Sequence, residues 1–138
     1  AHATACAAAL AVQKVVEEDN LLERVRERGA YAMKALHERL GQHAHVGDIR
    51  GRGLFIGLEL VADRETREPF APGLKVAARI KQTAFENGLI CYPNATSADG
   101  ERGDHVLLAP PFIISESEID ELVDKLSASI DEVLASVA

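Results

Sequence analysis

Tryptophan is absent from this 138-residue chain, and two Tyr and four Phe are its only large aromatic side chains. A core without many rings has to be assembled from Ala, Val, Leu and Ile. A chain of this length can do so, since a single domain of this size hides roughly two-thirds of its unfolded surface. Cysteine is nearly absent too: Cys6 and Cys91 are too few for a secreted disulfide framework and point to a reduced, cytoplasmic protein. No stretch approaches the ~20 apolar residues of a spanning helix, so no membrane partner is expected. Positive charge also falls short. Fifteen Lys and Arg against 22 Asp and Glu leave a net charge of −7, the wrong sign for a nucleic-acid or anionic-membrane partner. There is no initiating Met and no basic leader ahead of an apolar run, and an Ala-rich helix is under way by residue 5. The chain is therefore expected to begin inside a longer protein.

What is present divides at residue 41. Ala3 to Glu18 is rich in the best helix former, with Leu10, Val12, Val15 and Val16 adding apolar bulk. Asp19-Asn20 interrupts it, and Asn20 with Glu23 has the spacing of a capping box for a second helix. That helix carries Leu22, Val25, Met33, Leu36 and Leu40 and stops at Gly41; Gly29 within it costs about 1 kcal/mol relative to Ala unless something packs closely there. Beyond it, Val46–Arg50 and Leu54–Val61 read as strands around Gly51-Arg52-Gly53, with Leu54, Ile56, Leu58 and Leu60 sharing one face. Asp63–Gly73 is a loop, Leu74–Glu86 a helix stopped by Asn87-Gly88, and Leu89–Tyr92 a short strand. Pro93–Asp104 is a long polar loop of the kind that often carries function. Val106–Ala109 is a strand closed by Pro110-Pro111, and Ser115 with Glu118 caps a last amphipathic helix. The order ααββαββα predicts an α+β fold, a small and mainly antiparallel sheet covered on one face by helices. Residues 1–41 form helices leading into a small α+β domain at 42–138.

Several residue groups resemble chemical sites without having the context those sites need. Gly51-Arg52-Gly53 with Gly57 is followed by a strand, where phosphate binding needs a helix N-terminus, so a tight turn and close packing explain these glycines better. His43 and His45 lack further ligands for zinc, and no CxxC pairing exists. Cys91 with Asp104-His105 has the residue types of a nucleophile, base and orienting acid, but Cys91 alternates within a short apolar strand, and a free Cys is commonly just a small buried hydrophobe. Asn94-Ala95-Thr96 matches a glycosylation sequon without a secretory signal. The five lysines, Lys14, Lys34, Lys75, Lys81 and Lys125, sit among charged neighbours in helical segments, whereas an imine-forming lysine has to be desolvated.

Three stretches, in order and over essentially the whole chain, resemble class III pyridoxal-phosphate (PLP) aminotransferases. His2-Ala3-Thr4-Ala5-Cys6-Ala7-Ala8-Ala9-Leu10-Ala11 resembles the end of that family's Gly-His-Pro-x-Ala-Cys-Ala-Ala-Ala-Leu run. Asp48 to Leu60 resembles its RGxGLxxGxEL hairpin, and Gly103 to Ile114 its terminal APPLxI strand and turn. The resemblance implies the C-terminal small domain of the fold-type I architecture, in a cytoplasmic, homodimeric parent enzyme. That parent would use PLP to pass an amino group from an ω-amino acid or amine to a keto acid such as pyruvate. It implies that the Schiff-base lysine lies upstream of Ala1, leaving this chain without a catalytic residue or a cofactor-binding residue of its own.

Two departures from the family pattern bear on substrate. Ala3 stands where the family commonly has Pro. Leu107 stands three residues before the first Pro of the Pro-Pro pair, where ornithine- and aminobutyrate-type members carry an Arg that grips the substrate carboxylate. The ω-transaminase branch is similar to this chain in placing an Arg on the loop before that strand. Arg102, offset by two residues, is the substrate-binding candidate, swinging in for a keto-acid carboxylate and out for an apolar amine. A PLP-dependent decarboxylase or aminomutase on the same fold, and a free-standing α+β regulatory or small-molecule-binding domain, are the alternatives.

Overall fold

Helical propensity and apolar spacing act together only in part of the N-terminal region. In a computed structural model, which describes residues 2–137, helix α1 spans Ala3–Glu18 and buries none of its residues; Leu10, Val12 and Val15 all face solvent. Its Ala-rich sequence makes it a helix, and none of the described residues covers it. Helix α2, Leu21–Leu40, is amphipathic and buries Leu21, Ala32, Leu36 and Leu40, the last two completely. The expected side-chain cap at Asn20 does not form. Asn20 adopts the left-handed conformation (φ 50°) and offers its carbonyl to the amides of Glu23 and Arg24, while the Glu23 carboxylate pairs with Arg26. A cap needs an extended backbone to aim its side-chain oxygen at the first turn, and the tight α1–α2 turn removes it.

Strands β1 (Val46–Arg52), β2 (Phe55–Leu60), β3 (Tyr92–Asn94) and β4 (Asp104–Leu108) form one antiparallel sheet in the order β1-β2-β4-β3. The fold is α+β, as the element order predicts. Period-two alternation sorts the sheet's faces. Val46, Ile49, Ile56, Leu58, Leu60, Val106 and Leu108 turn inward under α2, α3 (Val76–Glu86) and α4 (Glu116–Leu134), and the opposite face carries no helix. Each fully buried Leu or Ile contributes about 1.5–3 kcal/mol, so this aliphatic face supplies what the missing aromatics do not. Helix α4 has the expected capping box, with Ser115 and Glu118 bonding reciprocally, and buries Ile119, Val123, Leu126, Ile130, Val133 and Leu134.

Several boundaries move from expectation: β1 runs on to Arg52, β2 is shorter by a residue at each end, and β4 starts at Asp104 and ends at Leu108, so that with β3 over Tyr92–Asn94 the polar loop is shorter than Pro93–Asp104. Leu89–Tyr92 is not a strand: the Leu89 amide returns to the Ala84 carbonyl at 2.7 Å to finish α3, and pairing starts only at Tyr92. Pro93 is tolerated there because β3 is an edge strand with a partner on one side. Helix α3 begins at Val76 rather than Leu74, after a 3-10 turn over Pro72–Leu74 and a left-handed Lys75. Its first turn is capped from far along the chain, since the buried Asp104 carboxylate accepts from the Ala77 amide at 2.9 Å.

Gly29 is explained by a close approach. A methyl group placed on it would lie 2.4 Å from the Gly53 carbonyl carbon, and Gly53 itself has φ +57° at the β1–β2 turn. The GxG turn thus lets the hairpin reach the helix backbone, with no helix N-terminus following it.

Candidate functional site

The helix-free face of the sheet is where functional side chains can gather, and the strand registers say which ones. One row across it reads Arg50, Gly57, Leu107, Tyr92; the next reads Asp48, Glu59, His105, Asn94. Arg52 lies opposite Phe55 at the hairpin end. Gly57 leaves a gap in the central strand, and over it opens a trough of about 500 Å³ walled by Arg50, Arg52, Phe55, Ser97, His105 and Leu107.

The polar groups of the trough differ in how they are held. Arg50 donates through one terminal nitrogen to Asp48 at 2.7 Å and to Glu59 at 2.8 Å. Glu59 first, then Asp48, holds its guanidinium more firmly charged. Arg52 meets no acidic partner among the described residues. The His105 Nδ1 atom is buried and unpartnered among the described residues, one of two such side-chain nitrogens together with Arg28 Nε.

Arg102 sits elsewhere. Its Nε donates to Asp99 at 2.8 Å and its terminal nitrogen to Glu68 at 2.7 Å, clasping the β3–β4 loop to the 63–70 loop. The Asp99 carboxylate also accepts the Glu101 and Arg102 amides, and these contacts, the Arg102 side chain foremost, lower its pKa to about 2. Arg102 lines a separate cavity of about 220 Å³ with Phe70, Lys75 and Asp104. The sequence-selected pair, Arg102 and Leu107, therefore border different cavities. Arg50, Arg52 and Ser97 were not singled out as site residues by motif reading, and His105 was singled out only with Cys91 and Asp104; alternation within β4 puts His105 on Leu107's face, while Arg50 and Arg52 join it only through the cross-strand register.

The other candidate constellations come apart. Cys91 packs against the core while His105 faces the trough, and Asp104 is engaged with Ala77, so no Cys–His–Asp site exists. Burial raises the Cys91 thiol pKa, opposite to what a nucleophile needs. His43 bonds Asp131 at 3.1 Å and the His45 ring bonds the Val61 and Ala62 carbonyls, and no metal-holding cluster occurs among the described residues.

None of the five lysines is buried. Lys14 pairs with Glu18, Lys34 with Glu38 and Lys125 with Glu121, and Lys75 and Lys81 are exposed. These surroundings do not fit an imine-forming lysine.

The fold is a small α+β domain with one open, substituted sheet face. The family model described as "Aminotransferase class-III" matches residues 1–130. The chain belongs to the class III aminotransferase family. It is 50% identical over 137 residues to an uncharacterized aminotransferase of Schizosaccharomyces pombe, covering 99% of this chain and 30% of that protein. It is 39% identical over 129 residues to the taurine–pyruvate aminotransferase of Rhodobacter capsulatus, covering 94% of this chain and 28% of that protein. The crystal structure of the PMP-bound form of an aminotransferase from Vibrio fluvialis superposes with a TM-score of 0.84 at 36% identity, over 96% of this chain and 27% of that one. The chain thus spans less than a third of the length of these relatives.

Proposed function

We propose that this chain is the C-terminal portion of a PLP-dependent aminotransferase that moves an amino group from an ω-amino acid or an amine to a keto acid such as pyruvate, and that alone it is inactive. The observation that carries the reading is Leu107. It lies on the open face of β4, beside the gap at Gly57, where a carboxylate-gripping Arg would stand in ornithine- and aminobutyrate-type enzymes. An apolar residue there favours donors without a carboxylate at that end. PLP supplies the electron sink for amino transfer in such enzymes, and this chain's share is to orient substrate and exclude water. Its own lysines are solvated and offer no covalent anchor, so the Schiff-base lysine is assigned to the remainder of the parent.

In this reading residues 1–41 lead from the rest of the enzyme into the small domain at 42–138, with the C-terminal half of α2 docked on the sheet through Ala32, Leu36 and Leu40. The parent is assigned a cytoplasmic location and a homodimeric state. Among the described residues no helix is long and apolar enough to cross a membrane. Arg102 is the carboxylate ligand that exchanges Asp99 and Glu68 for the keto acid. In the parent enzyme Arg102→Ala should impair the half-reaction with pyruvate and spare the one with an apolar amine; equal impairment of both would remove this role.

The first test uses the chain itself. After incubation with PLP and borohydride reduction, its intact mass should be unchanged. A stoichiometric phosphopyridoxyl adduct on one lysine would overturn the reading of an inactive portion.

A further inference from the structure

Two serines lie inside the molecule on α4, among side chains that are otherwise apolar: Ser127 and Ser129 are 2% and 0% exposed. Buried hydroxyls carry partners, and theirs come from other elements. Ser127 accepts from Arg39 of α2. Ser129 donates to the Lys125 carbonyl at 2.7 Å and accepts from the Asn87 side-chain amide at 3.1 Å. Asn87 itself is exposed, at the very end of α3, and the chemistry of that turn gives a reason for holding it.

Gly88 follows Asn87, and backbone geometry dictates the glycine. It has φ +76°, its amide donates to the Phe85 carbonyl at 3.0 Å, and the Leu89 amide donates to the Ala84 carbonyl at 2.7 Å. This pair of bonds closes a helix through a left-handed residue, where a Cβ is strained. The closure thus leaves Asn87 beside the least hindered amide nitrogen a chain can offer. The chain's other asparagines, Asn20 and Asn94, precede Leu21 and Ala95, whose side chains shield the following nitrogen. Asp99 also precedes a glycine, but its carboxyl pKa is lowered to about 2, foremost by Arg102, and an ionised carboxylate resists attack.

The reaction open to Asn87 is ring closure. The Gly88 nitrogen gives up its proton and bonds to the Asn87 Cγ; the Cγ–Nδ2 bond breaks, and ammonia leaves with that proton. Water then opens the cyclic imide at either carbonyl, giving aspartate or a β-linked isoaspartate, with no oxidant or reductant consumed. The folded chain opposes the first step in three ways. Ser129 keeps the side-chain amide on α4, and the Gly88 N–H is engaged by Phe85. The Asn87 ψ of 4° eclipses the Gly88 nitrogen with the nitrogen of Asn87 itself and turns it away from the side chain.

We infer that Asn87-Gly88 is a latent deamidation site, held shut by the buried Ser129 hydroxyl and released when the last turn of α3 frays. An isoaspartate there lengthens the main chain by one carbon, so the Gly88 and Leu89 amides lose their carbonyls and Leu89 is drawn from the core. The inference stands apart from the transaminase reading, since it concerns the chemical lifetime of the domain.

The experiment incubates the 138-residue protein at mildly alkaline pH, in buffer and in urea, and locates aspartate and isoaspartate over time by peptide mass spectrometry. Residue 87 should be the first asparagine converted, faster in urea than in buffer. Ser129→Ala should speed the conversion in buffer about three- to tenfold, the factor carried by one hydrogen bond of ordinary net strength, and leave the rate in urea alone. Gly29→Ala disturbs the hairpin contact on α2 rather than this turn, and should leave the rate in buffer unchanged. Urea midpoints confirm that both variants fold. Hydrogen exchange of the unaltered chain reads the fraying without any variant: the Gly88 and Leu89 amides should exchange faster than those of Leu36 and Leu40 in α2. Conversion of Asn20 or Asn94 first, equal rates in buffer and urea, or no acceleration in S129A would overturn the inference. Equal acceleration in G29A, or exchange at Gly88 and Leu89 as slow as in α2, would overturn it too, since only global unfolding would then expose Asn87.

Discussion

Gly29 is the residue at which propensity and packing disagree in sign. In an exposed helix Gly→Ala stabilises by about 1 kcal/mol. Here the added methyl would meet the Gly53 backbone at 2.4 Å, and overpacking of that kind costs typically 1–3 kcal/mol. Gly29→Ala should therefore lower stability on balance, read from the midpoint of urea unfolding; a gain would mean that the hairpin moves away freely. Asp104 acts alone in a different way, since its carboxylate is the side-chain cap on α3. Asp104→Ala should cost about 1 kcal/mol, up to about 2, by the same measurement. Cys91, half-buried with its thiol pKa raised, should react with a thiol reagent well after the exposed Cys6 in the native protein and at a matching rate in denaturant. At this scale the site was half legible. Leu107 could be picked from the Pro-Pro spacing, whereas Arg50, Arg52 and His105 belong to the trough only through cross-strand register, which no local motif records.

Among the elements, those with strong internal periodicity were readable and those defined by a neighbour were not. Helix α4 declared itself through Ser115, Glu118 and its apolar stripe, and β2 through the alternation of Ile56, Leu58 and Leu60. Strand β3 was misplaced because its limits are set by where β4 can reach it, and the cap at Asn20 because turn geometry overrode side-chain chemistry. The β3–β4 loop gains its order from the Arg102 clasp, and this gives it a pH dependence. Asp99 has its carboxylate pKa lowered to about 2, so the clasp's stabilisation is complete above the ordinary value of 3.8 and is lost as the pH falls through about 2. An NMR titration of the Asp99 side-chain carbon should place its midpoint near 2 in the native protein. Arg102→Gln should move that midpoint up toward 3.8; an unmoved midpoint would show that the backbone amides alone hold it.

At the scale of the whole molecule, α2, the sheet, α3 and α4 share one hydrophobic core, and α1 adds no buried residue to it. Removing residues 1–19 should therefore leave the denaturant midpoint nearly unchanged, because α1 buries nothing. A large drop would mean that α1 folds back on the body. The α+β class was legible because ααββαββα admits few layered arrangements, while the spatial order of the strands was not, since their periodicity is alike. That order, β1-β2-β4-β3, governs how the protein is finished. Strand β3 pairs only with β4, and α3 receives its cap only from Asp104, the first residue of β4. During synthesis the first hairpin, α3 and β3 all leave the ribosome before the strand that joins them. An 11-residue helix such as α3 is marginal alone. The nascent chain thus has no sheet centre until β4 emerges; its arrival closes the sheet and supplies the cap of α3, and only α4, which follows it and brings the last large share of buried side chains, remains to complete the core.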